Sequence, residues 1–433
     1  MTNLLTQSFT LASGLVIKNR LVKSAMTEGL AETDQLPNEL HFNLYKKWVD
    51  GQTGLLITGN VMIDPEQLER PGNIAYSPQH HQKFVQAWQP ILAYCKQAQT
   101  PILMQLSHPG RQCPAYVHSK PWAPSPVKLD FLGNYGLPHA MSAEEIQLTL
   151  ERFVAAALAA QEAGFDGVQI HAAHGYLISS FLSPLTNQRQ DQWGQDLAGR
   201  MKFLCDLIKD LRGKVKPSFT IAVKLNLRDF KKGGFSLDDC SQVILQLNQL
   251  GVDLLEVSGG SYEQPVILGR PYSELDTTHD LQKSAYFSTE AQFVRKIAQM
   301  PLILTGGIRQ RVDANELLAN QVCDFIGLAR PLCIDPQIGT KLLNSSIEVL
   351  PEESSLLFPQ PRRAREGEKI STSAILNVLS SLAWYFAQIE GLAKNKNHSA
   401  YGPKRALLNY FWGEYSKIIK LKLSKRFSHR STQ

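Results

Sequence analysis

Eight short apolar runs, separated by amphipathic stretches over the first 330 residues, constrain this chain more than any other feature. They are Leu21–Met26, Gly54–Ile63, Pro101–His108, Gly167–Ala172, Phe219–Asn226, Leu254–Gly260, Leu302–Gly307 and Phe325–Arg330. Most are rich in Val, Ile and Leu without strict alternation, the pattern of strands covered on both faces. The stretches between them carry helix starts. Ser142-Ala143-Glu144-Glu145 places a serine N-cap three residues before a glutamate, and the Ala-rich run behind it stops at Gly164. Ser236-Leu237-Asp238-Asp239 and Ser288-Thr289-Glu290-Ala291 read the same way. Parallel-type strands, most followed by a helix, predict an α/β fold: a (β/α)8 TIM barrel with a C-terminal helical extension, not an open doubly wound sheet. With 43% hydrophobic and 19% charged residues among 433, the chain has the apolar content for such a core, which argues against a disordered or fibrous protein.

In barrels of this kind chemistry gathers at the C-terminal ends of the strands. Position alone therefore selects Ala25-Met26-Thr27, Gly59-Asn60, Gln105 to His108, His171 to His174, Lys224 to Asn226, Gly259-Gly260, Gly306-Gly307 and Ala329-Arg330. His171, His174 and Tyr176 lie within six residues at the mouth of the fourth strand. Two imidazole donors suit a carbonyl, nitro or other oxygen on which negative charge develops, and a tyrosine hydroxyl can donate a proton. A metal site and packed core histidines are the competing readings, although no Asp, Glu or Cys lies within the motif as a third ligand. Gly306 and Gly307 after strand seven, with Ala329 and Arg330 after strand eight, occupy positions where barrels bind phosphate through backbone N–H groups. Arg330 adds a fork-shaped cation; the alternative is two tight turns and a surface arginine. Gln105 suits an amide-and-carbonyl ring edge and Lys224 a developing negative charge, the alternative for each being a polar cap over the barrel interior.

The net charge of +6 divides unevenly. Residues 391–433 hold ten Lys and Arg against one acid, Glu414, a local +9 that leaves −3 for residues 1–390. A near-neutral body argues against a nucleic-acid groove. Six scattered cysteines (95, 113, 205, 240, 323 and 333) with no CxxC disfavour a disulfide framework, an iron–sulfur cluster or structural zinc, and fit a reducing, cytoplasmic compartment. The opening residues lack the basic-then-apolar order of a secretory signal. Residues 110–141 form a Pro-, Gly- and aromatic-rich connection, long for a βα loop and expected either to be a lid or to contain unassigned structure.

The barrel is expected over residues 1–365 and a basic helical extension over 366–433. Residues 373–393 are apolar but interrupted by Asn377, Gln388 and Glu390, and read as a helix packed on the barrel, not a membrane span. Lys404–Phe427 places Leu408, Phe411, Trp412, Tyr415, Ile418, Ile419 and Leu423 on one helical face, with Lys417, Lys420 and Lys425 off it. The preferred reading docks that face on the barrel or on a second subunit, a homodimer, with its lysines in water. A helix lying on an anionic membrane surface is the alternative.

Together these residues resemble the Old Yellow Enzyme family of FMN-dependent oxidoreductases, also called the NADH:flavin oxidoreductase family. The likeness runs from Lys18-Asn19-Arg20 to Arg330 and includes Ser24-Ala25-Met26-Thr27, Gln105-Leu106-Ser107-His108-Pro109-Gly110-Arg111 and the His171/His174/Tyr176 block. Phe181-Leu182-Ser183-Pro184 and Asn187-Gln188-Arg189-Gln190-Asp191 extend it as an FLSP…NxRxD signature. The resemblance implies FMN across the barrel top, with Ser24, Ala25, Met26 and Thr27 along one side of the ring and Thr27 near O4. It puts Gly59 and Gln105 against the ring, Lys224 near N1 and O2, and Gly306, Gly307, Ala329 and Arg330 on the phosphate. NADH or NADPH would be the reductant, and a small activated alkene such as an α,β-unsaturated carbonyl the oxidant of a ping-pong cycle. Hydride would leave flavin N5 while His171 and His174 hold the substrate oxygen and Tyr176 supplies the proton. An NAD(P)H oxidase or quinone reductase using the same flavin, and a flavin-binding sensor or scaffold docked through its tail, are the alternatives.

The likeness has departures. Lys224 stands where arginine is frequent and Ala329 where glycine is frequent. Gln192-Trp193-Gly194-Gln195-Asp196 replaces a YGG-type continuation, Glu28-Gly29 lacks the tyrosine of some subgroups, and the cysteine-rich segment of iron–sulfur relatives is absent.

Overall fold

In the computed structural model, which describes residues 3–131, 133–229, 231–258, 288–353, 355–359, 372–396 and 401–430, the apolar runs become one closed barrel. Its strands are β1 (Leu21–Lys23), β2 (Leu55–Ile57), β3 (Ile102–Ser107), β4 (Gly167–Ala172), β5 (Thr220–Asn226), β6 (Leu254–Ser258), β7 (Leu302–Thr305) and β8 (Phe325–Leu328). Each pairs in parallel with the next. The barrel closes through Ile326↔Leu21, Gly327↔Val22 and Leu328↔Lys23. The expected run Gly54–Ile63 is interrupted: β2 ends at Ile57, Gly59 and Asn60 break the ladder, and a two-residue strand Val61–Met62 resumes against the far end of β3. Gly259 and Gly260, expected after β6, lie outside the described residues.

The helices around the barrel are α1 (Glu39–Asp50), α2 (His81–Gln97), α3 (Ala143–Ala163), α4 (Leu177–Leu182), α5 (Leu197–Lys214), α6 (Leu237–Gln249), α7 (Ser288–Arg295), α8 (Arg311–Ala319), α9 (Arg330–Ile334) and α10 (Ile338–Leu343). Their ends obey local chemistry. Ser142 Oγ accepts from the Glu145 N–H while Glu145 Oε2 accepts from the Ser142 N–H, a complete capping box. Ser236 and Asp239 repeat it at α6. Gly164 ends α3 at φ +103°, a conformation that favours glycine. In the altered loop, Asp196 is the N-cap of α5 and accepts from the Gly199 N–H.

Side chains two apart along a strand share the barrel interior. The lower layer is wholly apolar: Val22, Leu55, Leu103, Ala222, Leu254, Ile303 and Phe325 form one buried cluster. Leu11 and Ile17, from the antiparallel ribbon Phe9–Thr10 and Val16–Ile17, close it from below. Two residues further along most of these strands the interior turns polar, with Ser24, Gln105, Lys224, Glu256 and Thr305 around Gly327, while β2 keeps the apolar Ile57. That switch separates the part of the barrel that stabilises the fold from the part available for chemistry.

After α10 the chain returns as α11 (Thr372–Ala393) and α12 (Pro403–Arg430), a helical pair packed on itself, with α11 also against α1 and α9. The apolar stretch 373–393 is therefore a packed helix, as its interrupting polar residues imply. Among the described residues no helix is long and apolar enough to cross a membrane.

Candidate active site at the barrel mouth

A cavity of about 320 Å³ lies over the C-terminal strand ends, within the size range of small-molecule sites. Its floor is Ala25, Met26, Thr27, Gln105, His171, His174, Tyr176, Lys224 and Thr305, and one end is Gly306, Gly307, Arg309, Ala329 and Arg330. Its upper wall comes from outside the barrel: Leu382, Tyr385, Phe386 and Ile389 of α11, Tyr410 of α12, and Tyr116, Phe131 and Tyr135 of the 110–141 connection.

Below the floor is a buried polar network centred on Glu256. Register places Lys224 between His171 on β4 and Glu256 on β6. The Glu256 carboxylate receives Lys224 Nζ at 3.0 Å and Thr305 Oγ1 at 2.7 Å on one oxygen, and Gln169 Nε2 at 2.7 Å on the other. Gln169 in turn accepts from Gln105 Nε2 at 2.7 Å, and Thr305 Oγ1 lies 2.8 Å from Ser24 Oγ. Burial pushes the Glu256 carboxyl up, but the Lys224 charge and the hydrogen bonds from Lys224, Thr305 and Gln169 outweigh it and hold the group below the usual carboxylate range. The chain of amides also fixes Gln105, whose Nε2 is committed to Gln169 while the residue lines the cavity. Gly327 is required here, because a Cβ would stand 1.9 Å from Thr305 Oγ1 and 2.6 Å from Ser24 Oγ.

The histidine–tyrosine block sits immediately above. The His171 ring is perpendicular to that of His174, with centroids 5.2 Å apart, and 4.7 Å from that of Tyr176. The Ala173 N–H donates to His171 Nδ1 at 3.3 Å, which assigns the ring proton to Nε2 and makes that atom a donor. His174 adopts φ +62° and is fixed from three directions. Its N–H donates to Asn226 Oδ1, its carbonyl accepts from Gln112 Nε2, and its Nε2 lies 3.0 Å from Ser258 Oγ. Burial, reinforced by the Lys224 charge, holds both imidazoles well below their ordinary pKa. The pair is neutral at physiological pH and faces a cation, an environment suited to a developing oxyanion and hostile to a metal ion.

At the far end Gly306 and Gly307 run at φ +130° and +75°, conformations that favour glycine, and both line the cavity. Arg309 is held through its Nε by Glu352 at 2.6 Å, while its Nη2 is buried with no partner among the described protein atoms. Ala329 and Arg330 begin α9 beside them.

Two of the residues that the resemblance puts against the flavin, Ser24 and Gly59, stand apart from the cavity wall. Ser24 shares the polar layer of Thr305 but does not line the cavity, and reaches it only through the Thr305 hydroxyl. The Gly59 N–H is engaged by Glu28 Oε1 at 2.9 Å, which also accepts from Tyr45 Oη at 2.6 Å; Asn60, not Gly59, lines the cavity. A Cβ at residue 59 would meet Glu28 Oε2 at 1.9 Å, so this glycine answers to packing. Sequence reasoning missed Glu256, Gln169 and Thr305, whose available signal was a polar residue two positions beyond an inward apolar one. It also missed the wall supplied by α11, whereas the 110–141 connection, for which a lid is one of the two readings, does contribute Tyr116, Phe131 and Tyr135 above the site. Of the signature residues, Arg189 clamps that connection, while Asn187 ties together its own loop after α4. Arg189 Nη1 donates to the carbonyls of Pro124 and Met141, and Asn187 Nδ2 to those of Phe181 and Trp193.

Residues 7–346 match the model of the NADH:flavin oxidoreductase / NADH oxidase family. The NADH-dependent flavin oxidoreductase iliE of Hypocrea jecorina (strain QM6a) is 36% identical over 369 residues, spanning 81% of this chain and 91% of the relative. An NADPH dehydrogenase of Halalkalibacterium halodurans is 30% identical over 328 residues, 75% of this chain and 89% of that protein. Among solved structures, the old yellow enzyme homologue from Zymomonas mobilis superposes with a TM-score of 0.67 at 26% identity, covering 80% of this chain and 94% of that one.

Proposed function

Because this chain belongs to the NADH:flavin oxidoreductase / NADH oxidase family, and is thus an FMN-dependent enzyme reduced by NADH or NADPH, we propose that it reduces the C=C bond of activated, apolar alkenes such as α,β-unsaturated carbonyl compounds. FMN, when bound, supplies the chemistry of taking a hydride from the nicotinamide and passing it on. The residues present suit that group. Gly306, Gly307, Ala329, Arg330 and the unpartnered Arg309 Nη2 would receive its phosphate. Ala25, Met26, Thr27, Gln105 and Lys224 would border its ring.

The observation that carries the proposal is the neutral His171–His174 pair beside Tyr176 and Lys224. Neutral imidazole N–H groups stabilise charge that develops on a substrate oxygen without first having to lose a proton. His171 Nε2–H, oriented through the Ala173 amide, would donate to that oxygen. Tyr176, on the same turn, would deliver the proton to the α-carbon of the alkene, the carbon bonded to the carbonyl carbon. The apolar wall of Leu382, Tyr385, Phe386, Ile389 and Tyr410 would exclude water and favour a bulky, apolar substrate.

The two half-reactions separate under anaerobic stopped flow. Tyr176→Phe is expected to slow alkene reduction by about 10²–10⁴-fold while leaving flavin reduction by NADH or NADPH near wild type. Equal loss in both halves would remove Tyr176 from the proton-transfer role. Rapid reoxidation by oxygen or quinone with no turnover of any enone would favour an oxidase or quinone reductase using the same flavin.

A further inference from the structure

Helix α12 carries apolar side chains on two opposite faces. The inner face is satisfied: Ala406, Leu407, Ile418 and Leu421 are buried, Glu414 pairs with Arg70, and Lys417 Nζ donates to the Gly29 carbonyl. The sequence grouped Ile418 with Ile419, but the docked helix separates them, turning Ile418 onto Met62, Leu68 and Ala75 and leaving Ile419 outside. The outer face holds Leu408, Phe411, Trp412, Tyr415, Ile419 and Leu423, all exposed, with Trp412 at 80% and Tyr415 at 65%. Their spacing of three, four and eleven residues keeps them on one stripe. Single exposed apolar residues are ordinary, but a continuous stripe of this kind marks an interaction surface. Exposed Lys404 and Arg405 stand at one end, and exposed Lys420 and Lys422 toward the other. The one acid of residues 391–433, Glu414, is on the opposite face in its ion pair.

We propose that this outer face seats α12 in the interfacial layer of an anionic lipid bilayer. Trp412, Phe411, Tyr415 and the aliphatic residues would enter the boundary between headgroups and acyl chains, and the lysines would meet the anionic headgroups. Charge decides between a bilayer and a second copy of the chain. An isologous dimer through this face would bring two basic helices together with no exposed carboxylate on either to pair with them. An anionic surface matches the apolar stripe and the flanking cations together. No described helix crosses a membrane, so the mode is surface attachment.

Co-flotation of the FMN-loaded full chain with vesicles tests this. Binding is expected to phosphatidylcholine vesicles containing phosphatidylserine, to be lost on phosphatidylcholine alone, and to weaken as salt rises. Each interfacial cation is worth about fivefold in partitioning, so Lys420→Gln with Lys422→Gln should lower it about 25-fold. Trp412→Ser with Ile419→Ser should lower it at least about tenfold. Flavin absorbance and far-ultraviolet circular dichroism should be unchanged in both variants. No binding to anionic vesicles at low ionic strength, or wild-type binding by both variants, would overturn the proposal. So would a dimer in solution that Trp412→Ser with Ile419→Ser converts to monomer, because that would assign the face to a second copy.

Discussion

Replacing Glu414 with glutamine should loosen α12 from the barrel without unfolding it. Glu414 Oε1 receives Arg70 Nη2 at 2.5 Å and Nε at 3.2 Å, and both side chains are less than one-tenth exposed. The Arg70 guanidinium also lies over the Phe386 ring at 3.9 Å and near Tyr410 at 5.0 Å, so one cation ties the barrel loop to both C-terminal helices. Burial alone would pull its pKa down, yet the Glu414 charge, helped by Tyr410 and Glu69, carries it above the ordinary arginine value. Removing one partner of a buried pair costs about 3–5 kcal/mol, because the remaining charge has no compensation. Glutamine keeps an acceptor oxygen for the guanidinium, which places the cost near the lower end, about 3 kcal/mol. That corresponds to about 150-fold more frequent opening of α12. Hydrogen exchange read by mass spectrometry should show amides of residues 407–421 exchanging faster by that factor, with β3, β4 and β5 unaffected. An apolar double replacement, Arg70→Met with Glu414→Leu, should recover most of the protection. Exchange in Glu414→Gln within threefold of wild type would refute the reasoning. Equal loss of protection in the double variant would show that the charge pair is not what holds the helix.

Two further predictions concern the buried groups. Glu256→Gln leaves Lys224 with an unbalanced charge beside the site, and should destabilise the protein by about 3–5 kcal/mol. It should also raise the midpoint potential of bound flavin, while Glu256→Asp restores it; an unchanged potential in a spectroelectrochemical titration would deny Glu256 its positioning role. Stability should also fall with acid below pH 6.5. His171 and His174 are held well below that value by burial and Lys224, and burial takes His41 and His108 to about 4. Unfolded chains therefore bind protons at these histidines that the folded state refuses, so stability is present above pH 6.5 and is lost as pH falls toward 4. Each contributes a slope of about 1.4 kcal/mol per pH unit in that window. His108→Asn should reduce the slope of urea-derived stability by one such increment, and an unchanged slope would rule the group out.

Much of this architecture is written locally. The eight apolar runs, the serine caps at 142 and 236 and the left-handed stop at Gly164 depend on residues within a few positions of one another, so the sequence by itself determined a parallel barrel and its helix starts. The same locality made the His171-to-Tyr176 block and the Gly306-Gly307 turn legible, since each is a single strand end. Tertiary structure alone decided which distant groups meet. Glu256 reaches Lys224 from the next strand, and Gln169 links it to Gln105, because parallel register aligns residues that no sequence spacing connects. Gly59 belongs to Glu28 and not to the cavity for the same reason. The orientation of α12 was equally hidden. With apolar residues on two opposite faces of the helix, hydrophobic pattern leaves its rotation undetermined, and the buried Arg70–Glu414 pair and the Lys417 contact with Gly29 select the face that docks. A charge must find its partner when it leaves water, whereas an apolar side chain accepts almost any neighbour.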